Sequence, residues 1–241
     1  MSLIKAVFED ENVLLGFTNR WGGVSQKPFA DFNLASYVGD KKRDVWRNRN
    51  LLVGELGVSE KNIVWMNQMH SDKIQVATKG GEVMGTDGLV TDQTKLILMV
   101  LVADCIPILF YDLVKKVVAV VHAGRKGSFK NISGKMIAKL QSEVNSNPAD
   151  IKVFLGPSIQ KTCYEVNQNI IGDFKNKWGN KYIHKSKYLD LPLLNQTQLM
   201  SAGVLRKNIT VSDICTHCDS NYFSYRREEK TGRFAGVVML K

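Results

Sequence analysis

Three residues of this chain have the types and spacing to act together as ligands: His70, Cys105 and His122. Each stands where an apolar, strand-like run gives way to polar residues. The runs read Ile63-Val-Trp-Met-Asn-Gln-Met-His70, Leu96-Ile-Leu-Met-Val-Leu-Val-Ala-Asp-Cys105 and Val117-Val-Ala-Val-Val-His122-Ala-Gly. Two imidazoles and a thiolate suit zinc, and three protein ligands leave the fourth position to water or substrate, as in catalytic sites. Taken singly, a cysteine in an apolar run is an ordinary small hydrophobe, and a lone histidine an ordinary core or surface residue. Taken together, in a chain with only four His and four Cys, the three share a strand-end context in which α/β proteins place chemistry.

The elements that must position these residues are legible as patterns. Period-two and continuous apolar runs predict strands over residues 12–18, 63–66, 73–77, 96–102, 106–111, 117–121, 151–155 and 234–240. Helical spacing predicts helices over 42–56, 131–145, 166–178 and 192–203, the last with Pro192 in its first turn, where the missing N–H is tolerated. Strands and helices interleave without strict alternation, which predicts a mixed α/β (α+β) architecture with more than one sheet and not a pure Rossmann fold. The length, with no long linker, repeat or low-complexity tract, predicts a single domain spanning 1–241. The Ser142 to Asp150 segment, containing Asn147-Pro148, reads as a turn between a helix and the next strand.

A net charge of +10 and a pI near 9.4 favour anionic partners. The cations are scattered, as at Lys41-Lys42-Arg43, Lys115-Lys116, Arg125-Lys126 and Arg226-Arg227. That pattern predicts a solvated surface for most of them, and charge alone does not choose among nucleic acid, phosphate and phosphorylated metabolites, although no nucleic-acid partner is expected. The longest apolar stretch, Leu96 to Ala103, is far short of the ~20 residues of a membrane-spanning helix. Acidic Glu9-Asp10-Glu11 falls where a signal peptide needs an apolar core, and four cysteines are too few for a disulfide framework. A cytoplasmic protein, monomeric or a small homo-oligomer and without membrane partners, is expected. Cys215-Thr-His217-Cys218 is a solitary C-x-x-C without a second ligand pair, and reads as packing.

The order of motifs along the chain carries a resemblance. Asn67-Gln-Met-His70-Ser, Asp87-Gly-Leu-Val-Thr-Asp92, Ala103-Asp-Cys105-Ile-Pro, Val120-Val-His122-Ala-Gly, Gly156-Pro-Ser-Ile and Tyr164-Glu-Val follow those of the YfiH-type family. Thr18-Asn-Arg20-Trp-Gly-Gly and Phe32-Asn33-Leu fit near the start, and Phe223-Ser-Tyr-Arg-Arg227 and Thr231-Gly-Arg233 at the end. The family is called laccase-domain or polyphenol oxidase in older naming and purine nucleoside phosphorylase in newer. The resemblance implies a layered sandwich of mixed sheets, with metal, usually zinc and in some attributions copper, held by His70, Cys105 and His122. It also implies phosphorolysis of adenosine, inosine and methylthioadenosine, together with adenosine deamination. One departure stands out: the family's His-Ala-Gly-Trp-Arg-Gly reads His122-Ala-Gly-Arg125-Lys126-Gly127 here, so a cation replaces an aromatic surface beside the pocket.

The residue inventory limits the chemistry. A blue-copper centre takes two His, one Cys and a weak axial ligand, for which Met69 is a candidate. The copper cluster of true laccases needs more histidines than the four present, so any oxidase activity would run on a single copper. Hydrolytic deamination fits an open zinc site and needs a carboxylate to move protons; Asp104 is the candidate, with Asp87 and Asp92 as others. Phosphorolysis needs cationic donors beside the ribose. Arg20 and Arg49 are candidates for phosphate, and Asn33 and Gln68 for ribose or base, with Gln68 equally able to support His70. Two readings from other classes stay open: Cys105 as the thiolate of a metal-free cysteine hydrolase, and a basic nucleic-acid-binding protein with a structural metal.

Overall fold

The computed structural model describes residues 2–241. Among them run fourteen strands: β1 (Ile4–Glu9), β2 (Val13–Thr18), β3 (Ile63–Met66), β4 (Ile74–Val76), β5 (Gly81–Val83), β6 (Gly88–Thr91), β7 (Ile97–Val102), β8 (Ile106–Asp112), β9 (Val117–Ala123), β10 (Ile151–Leu155), β11 (Ile183–His184), β12 (Tyr188–Leu189), β13 (Ile209–Val211) and β14 (Phe234–Leu240). Six α-helices accompany them: α1 (Lys42–Glu55), α2 (Arg125–Phe129), α3 (Ile132–Val144), α4 (Gln168–Trp178), α5 (Leu191–Ser201) and α6 (Tyr225–Glu228). All eight strands and all four helices read from the sequence are present, within one or two residues at most ends.

Two six-stranded mixed sheets form the centre, in the orders β1-β2-β14-β7-β3-β5 and β13-β10-β8-β9-β6-β4. The continuous apolar runs exist because their strands are covered on both faces. In β7, Leu98, Val100 and Val102 join the core between the two sheets, while Ile97, Met99 and Leu101 join a second core under α1 with Phe32, Leu34 and Leu52. In β9, Val118 and Val120 face the other sheet, and Val117, Ala119 and Val121 face a third core beneath α3, α4 and α5. The layers are therefore helix, sheet, sheet, helices, and the mixed α/β class with more than one sheet is the observed one.

The strands the sequence did not announce are short or marginal. β6 has four residues, β5, β11, β12 and β13 have two or three, and β1 is mostly exposed, so neither length nor apolar alternation marks them. Helix starts, by contrast, carry readable caps: Asn131, Asn167 and Asp190 accept from the backbone N–H groups of Gly134, Ile170 and Leu193. No helix of the described residues is long and apolar enough to cross a membrane.

Candidate active site

Topology brings the three ligand candidates to one place. β3 and β7 are parallel neighbours, so their C-terminal ends point the same way, and the segments carrying His70 and Cys105 leave from that edge. Cys105 lies in the connection from β7 to β8, which crosses from one sheet to the other. The pairing of Ile106 with Ala123 and Pro107 with His122 then sets the end of β9 beside Cys105. His70, Cys105 and His122 place their donor atoms within 4.8 Å of one another. Cys105 Sγ is 3.9 Å from His70 Nε2, and two ligands on tetrahedral zinc stand about 3.5 Å apart given its usual bond lengths. For that pair, closure by a few tenths of an ångström would reach the ligand spacing.

Asp87 organises this cluster. It is fully buried and immediately precedes β6, whose neighbour is β9. Its Oδ1 accepts from His122 Nδ1 at 2.8 Å and from the His70 backbone N–H at 3.0 Å. Its Oδ2 accepts from the Ser71 backbone N–H and hydroxyl, both at 2.6 Å, and from the Met69 N–H at 3.2 Å. The carboxylate thus holds the 69–71 turn, in which His70 is left-handed at φ 55°, and fixes the His122 tautomer so that Nε2 faces the other donors. Burial works against the Asp87 charge, but the His122 and Ser71 hydrogen bonds outweigh it and hold the carboxyl far below its ordinary range. Burial likewise opposes ionisation of Cys105, yet the neighbouring His122 brings the thiol down to about 6. His122 rises to about 9 against burial because Cys105 and Asp87 favour its charged form. The thiol is thus drawn toward the ionised form that ligates a metal, whereas His122 must give up a proton before its nitrogen can do so.

The ligands need a glycine beside them. A Cβ on Gly124 would lie 2.9 Å from His70 Cδ2, 3.0 Å from Cys105 Sγ and 3.6 Å from His122 Cε1. Gly124→Ala is expected to push the imidazole and thiol apart and lower metal affinity by roughly 10- to 100-fold, the range seen when groups that orient ligands are lost. Competition against a chromophoric chelator measures this, and unchanged affinity would show that the donors adjust freely.

The cluster forms one wall of a cavity of about 420 Å³. Gln68 and Asp104 line it, as do residues to which the sequence assigned no role: Tyr37, Ile159, Tyr164, Tyr225, Arg226 and Arg233. The Gln68 amide is spent on the backbone of Leu101, donating at 2.8 Å and accepting at 2.9 Å, which ties the His70 segment to β7. Asp104 sits at φ 91°, an unusual conformation for a residue with a side chain. Its carboxylate accepts from the Thr216 hydroxyl and the Arg226 backbone N–H, both at 2.7 Å, so it also anchors the opposite wall. Burial pushes the Tyr164 phenol up to about 12, against the pull of Arg125 and Arg226. Arg125, the departure from the family pattern, is thus a neighbour of the Tyr164 side chain.

Other expected residues lie outside the cavity lining. Arg20 binds Glu228 at 2.6 Å and the Ala30 carbonyl at 3.0 Å. Arg49 is buried over Trp65 at 4.4 Å and donates to the Leu34 carbonyl. Asn33, fully buried, bonds Asp40 and the Ala35 backbone and accepts from the Arg233 N–H at 2.9 Å. Asp92 is exposed at the far end of β6, and the Met69 sulfur lies near Gly85, outside the ligand group. The cations that face the cavity are Arg226 and Arg233. The only sequence signal for them was their place in the Phe223–Arg227 and Thr231–Arg233 motifs, because their approach to His70 depends on chain segments more than a hundred residues apart.

Arg20 and Asn33 support that wall from behind. Glu228, at the end of α6, accepts from Arg20, Arg227 and the Thr231 hydroxyl. Burial raises its carboxyl, but these partners outweigh burial and hold it below its ordinary value. A lowered folded value means the stabilisation is present above the ordinary carboxylate range and is lost as pH falls through the folded value. Glu228→Gln is expected to cost about 1–3 kcal/mol near neutrality, a deficit that shrinks in acid. Thermal melts across that range would detect it, and a pH-independent deficit would contradict it.

Comparison with known proteins identifies the family. The family model described as multi-copper polyphenol oxidoreductase laccase matches residues 14–241. Purine nucleoside phosphorylase YlmD of Bacillus subtilis is 34% identical, with 96% of this chain and 90% of that protein covered. A purine nucleoside phosphorylase of Corynebacterium glutamicum is 41% identical, with 93% of each covered. Among solved structures, the hypothetical protein YfiH of Bacillus licheniformis superposes with a TM-score of 0.91 at 34% identity, covering 95% of this chain and 93% of that one. YlmD of Geobacillus stearothermophilus does so with a TM-score of 0.91 at 31% identity, covering 98% and 100%. Sharing its fold and nearly its whole length with these proteins, the chain belongs to the laccase-domain family, whose model is the one described as multi-copper polyphenol oxidoreductase laccase.

Proposed function

We propose that this protein is a zinc-dependent purine nucleoside phosphorylase that cleaves adenosine, inosine and methylthioadenosine with phosphate, and deaminates adenosine as a side activity. The observation that carries the reading is the placement of His70, Cys105 and His122 in the wall of a cavity whose other lining includes Arg226, Arg233 and three tyrosines. The names of the relatives point to nucleosides, and the donor set suits zinc. Zinc supplies Lewis acidity and an acidified water when bound. The chain's own groups do the rest. Arg226 and Arg233 each spend two donors on backbone carbonyls, out of the five a guanidinium carries, and are assigned to phosphate. Tyr37, Tyr164 and Tyr225 offer aromatic faces to the purine. Asp104, with two lone-pair positions used, is assigned to proton movement during deamination.

The test is incubation of zinc-loaded protein with adenosine, with and without phosphate, followed by chromatography. Adenine and ribose 1-phosphate formed only with phosphate are expected, with inosine as the minor product. No purine product from zinc-loaded protein would reject the proposal.

A second reading is favoured by one observation. Asp87, His122 and Cys105 are aligned as orienting acid, base and thiolate, the arrangement of a metal-free cysteine hydrolase. Full activity after chelation, abolished by alkylation of Cys105, would support it. Of the copper chemistry in the family's description, a multicopper cluster lacks the histidines: of the four, only His70 and His122 join the site.

A further inference from the structure

The solitary C-x-x-C of the sequence is not alone in the fold. Cys163, 55 residues before Cys218, joins Cys215 and Cys218 in a second cluster whose sulfurs lie within 4.8 Å of one another. Cys163 Sγ and Cys218 Sγ are 3.4 Å apart, and two thiolates on tetrahedral zinc stand about 3.8 Å apart at Zn–S near 2.3 Å. Cysteines that serve as small hydrophobes are buried. Here Cys218 is exposed and Cys163 and Cys215 only half-buried, so packing does not account for the convergence.

We propose that Cys163, Cys215 and Cys218 form a second metal site, for a closed-shell thiophilic cation of the zinc class, distinct from the His70–Cys105–His122 centre. The cluster joins two segments that supply the cavity's outer wall. One runs from Ser158 to Tyr164 and the other from Ile214 to Arg226. They are already linked by the Ser158–Cys215 bridge and by the Arg226 guanidinium on the Cys163 carbonyl. A cation there would clamp Tyr164 and Arg226 against the cavity. The local backbone suits a thiolate: burial opposes it, but the N–H groups of Gln160, Cys218 and His217 lower Cys215 below its ordinary value. Hydrogen bonding to Cys163 and Cys215 pushes Cys218 up to about 12, so the metal-free cluster retains protons. Binding replaces those S–H bonds by three S–metal bonds and releases the protons to solvent, and no electron is transferred.

The test uses the full chain, reduced, stripped with chelator and titrated anaerobically with zinc, and separately with cobalt or cadmium for sulfur-to-metal absorption. The wild type should take up two equivalents, one per cluster, and protect all four cysteines from alkylation. Cys218→Ser, a surface change, should bind one equivalent and leave Cys163 and Cys215 open to alkylation. His70→Ala should keep the multi-thiolate absorption and lose the other equivalent. A wild type that binds one equivalent with Cys163, Cys215 and Cys218 freely alkylated would overturn the proposal. So would a Cys163–Cys218 disulfide, found by mass mapping, in protein that binds one equivalent after reduction. Neither result bears on the nucleoside reaction, which the product assay decides separately.

Discussion

Replacing Cys105 with Ala is expected to lower turnover of the preferred nucleoside by roughly 1,000-fold, because Lewis-acid stabilisation is worth several kcal/mol and each 1.4 kcal/mol is tenfold. The same variant should lose metal from the His70–Cys105–His122 centre while its fold survives. Cys105 lies in a connection and not in a strand, and Ala removes only a sulfur at a cavity wall. Its thiol is brought to about 6 chiefly because the His122 charge overcomes burial, so removing the sulfur should also return His122 toward its ordinary value. The measurements are steady-state product formation, metal content and an NMR titration of His122. Activity within tenfold of wild type would sink the metal mechanism and the thiolate-nucleophile reading together, since both place the chemistry on this sulfur.

Asp87→Asn should have the second largest effect, and it acts on structure and site at once. The substitution puts an amide NH₂ among the N–H groups of Met69, His70 and Ser71, the Ser71 hydroxyl and His122 Nδ1, which all converge on the carboxylate. Five donors then share one remaining acceptor oxygen. Breaking such a buried charge-paired hub costs about 3–5 kcal/mol, and metal affinity should fall roughly 10- to 100-fold as His122 loses its orienting partner. The sign with pH follows from the lowered carboxyl: the wild-type advantage is present above the ordinary carboxylate range and fades as acid protonates Asp87. Denaturant melts of both proteins should therefore diverge at neutral pH and converge in strong acid. A constant gap would assign the loss to packing and not to charge.

What could be read without coordinates divides along physical lines. β7, β8, β9 and β14 are buried along their whole length, so burial itself wrote their apolar runs into the sequence, and α1, α3 and α4 show the helical period for the same reason. The ligand set was legible because His and Cys are rare here and each ended such a run. Asp87 was visible only as one carboxylate among several. Its role comes from the pairing of β6 with β9, a long-range hydrogen-bond register that local sequence does not encode.

Arg20, Arg49 and Asn33 show the converse. Their types suited phosphate or ribose, but the tertiary structure uses their donors inside the scaffold, on Glu228, Leu34 and Ala35. The cavity's cations and aromatics come instead from short turns and α6, whose four residues are too few to leave a period. Cys163 met Cys215 and Cys218 by the same long-range route. Sequence alone determined the main strands and helices and offered the three candidate donors, because those follow from residue type and local burial, while the layering of the sheets was implied by the family resemblance. Only the tertiary structure decided which carboxylate orients the donors, which arginines face them and which cysteines gather beside them, because loop closure over 35 to 122 residues brings together groups that have no local signature.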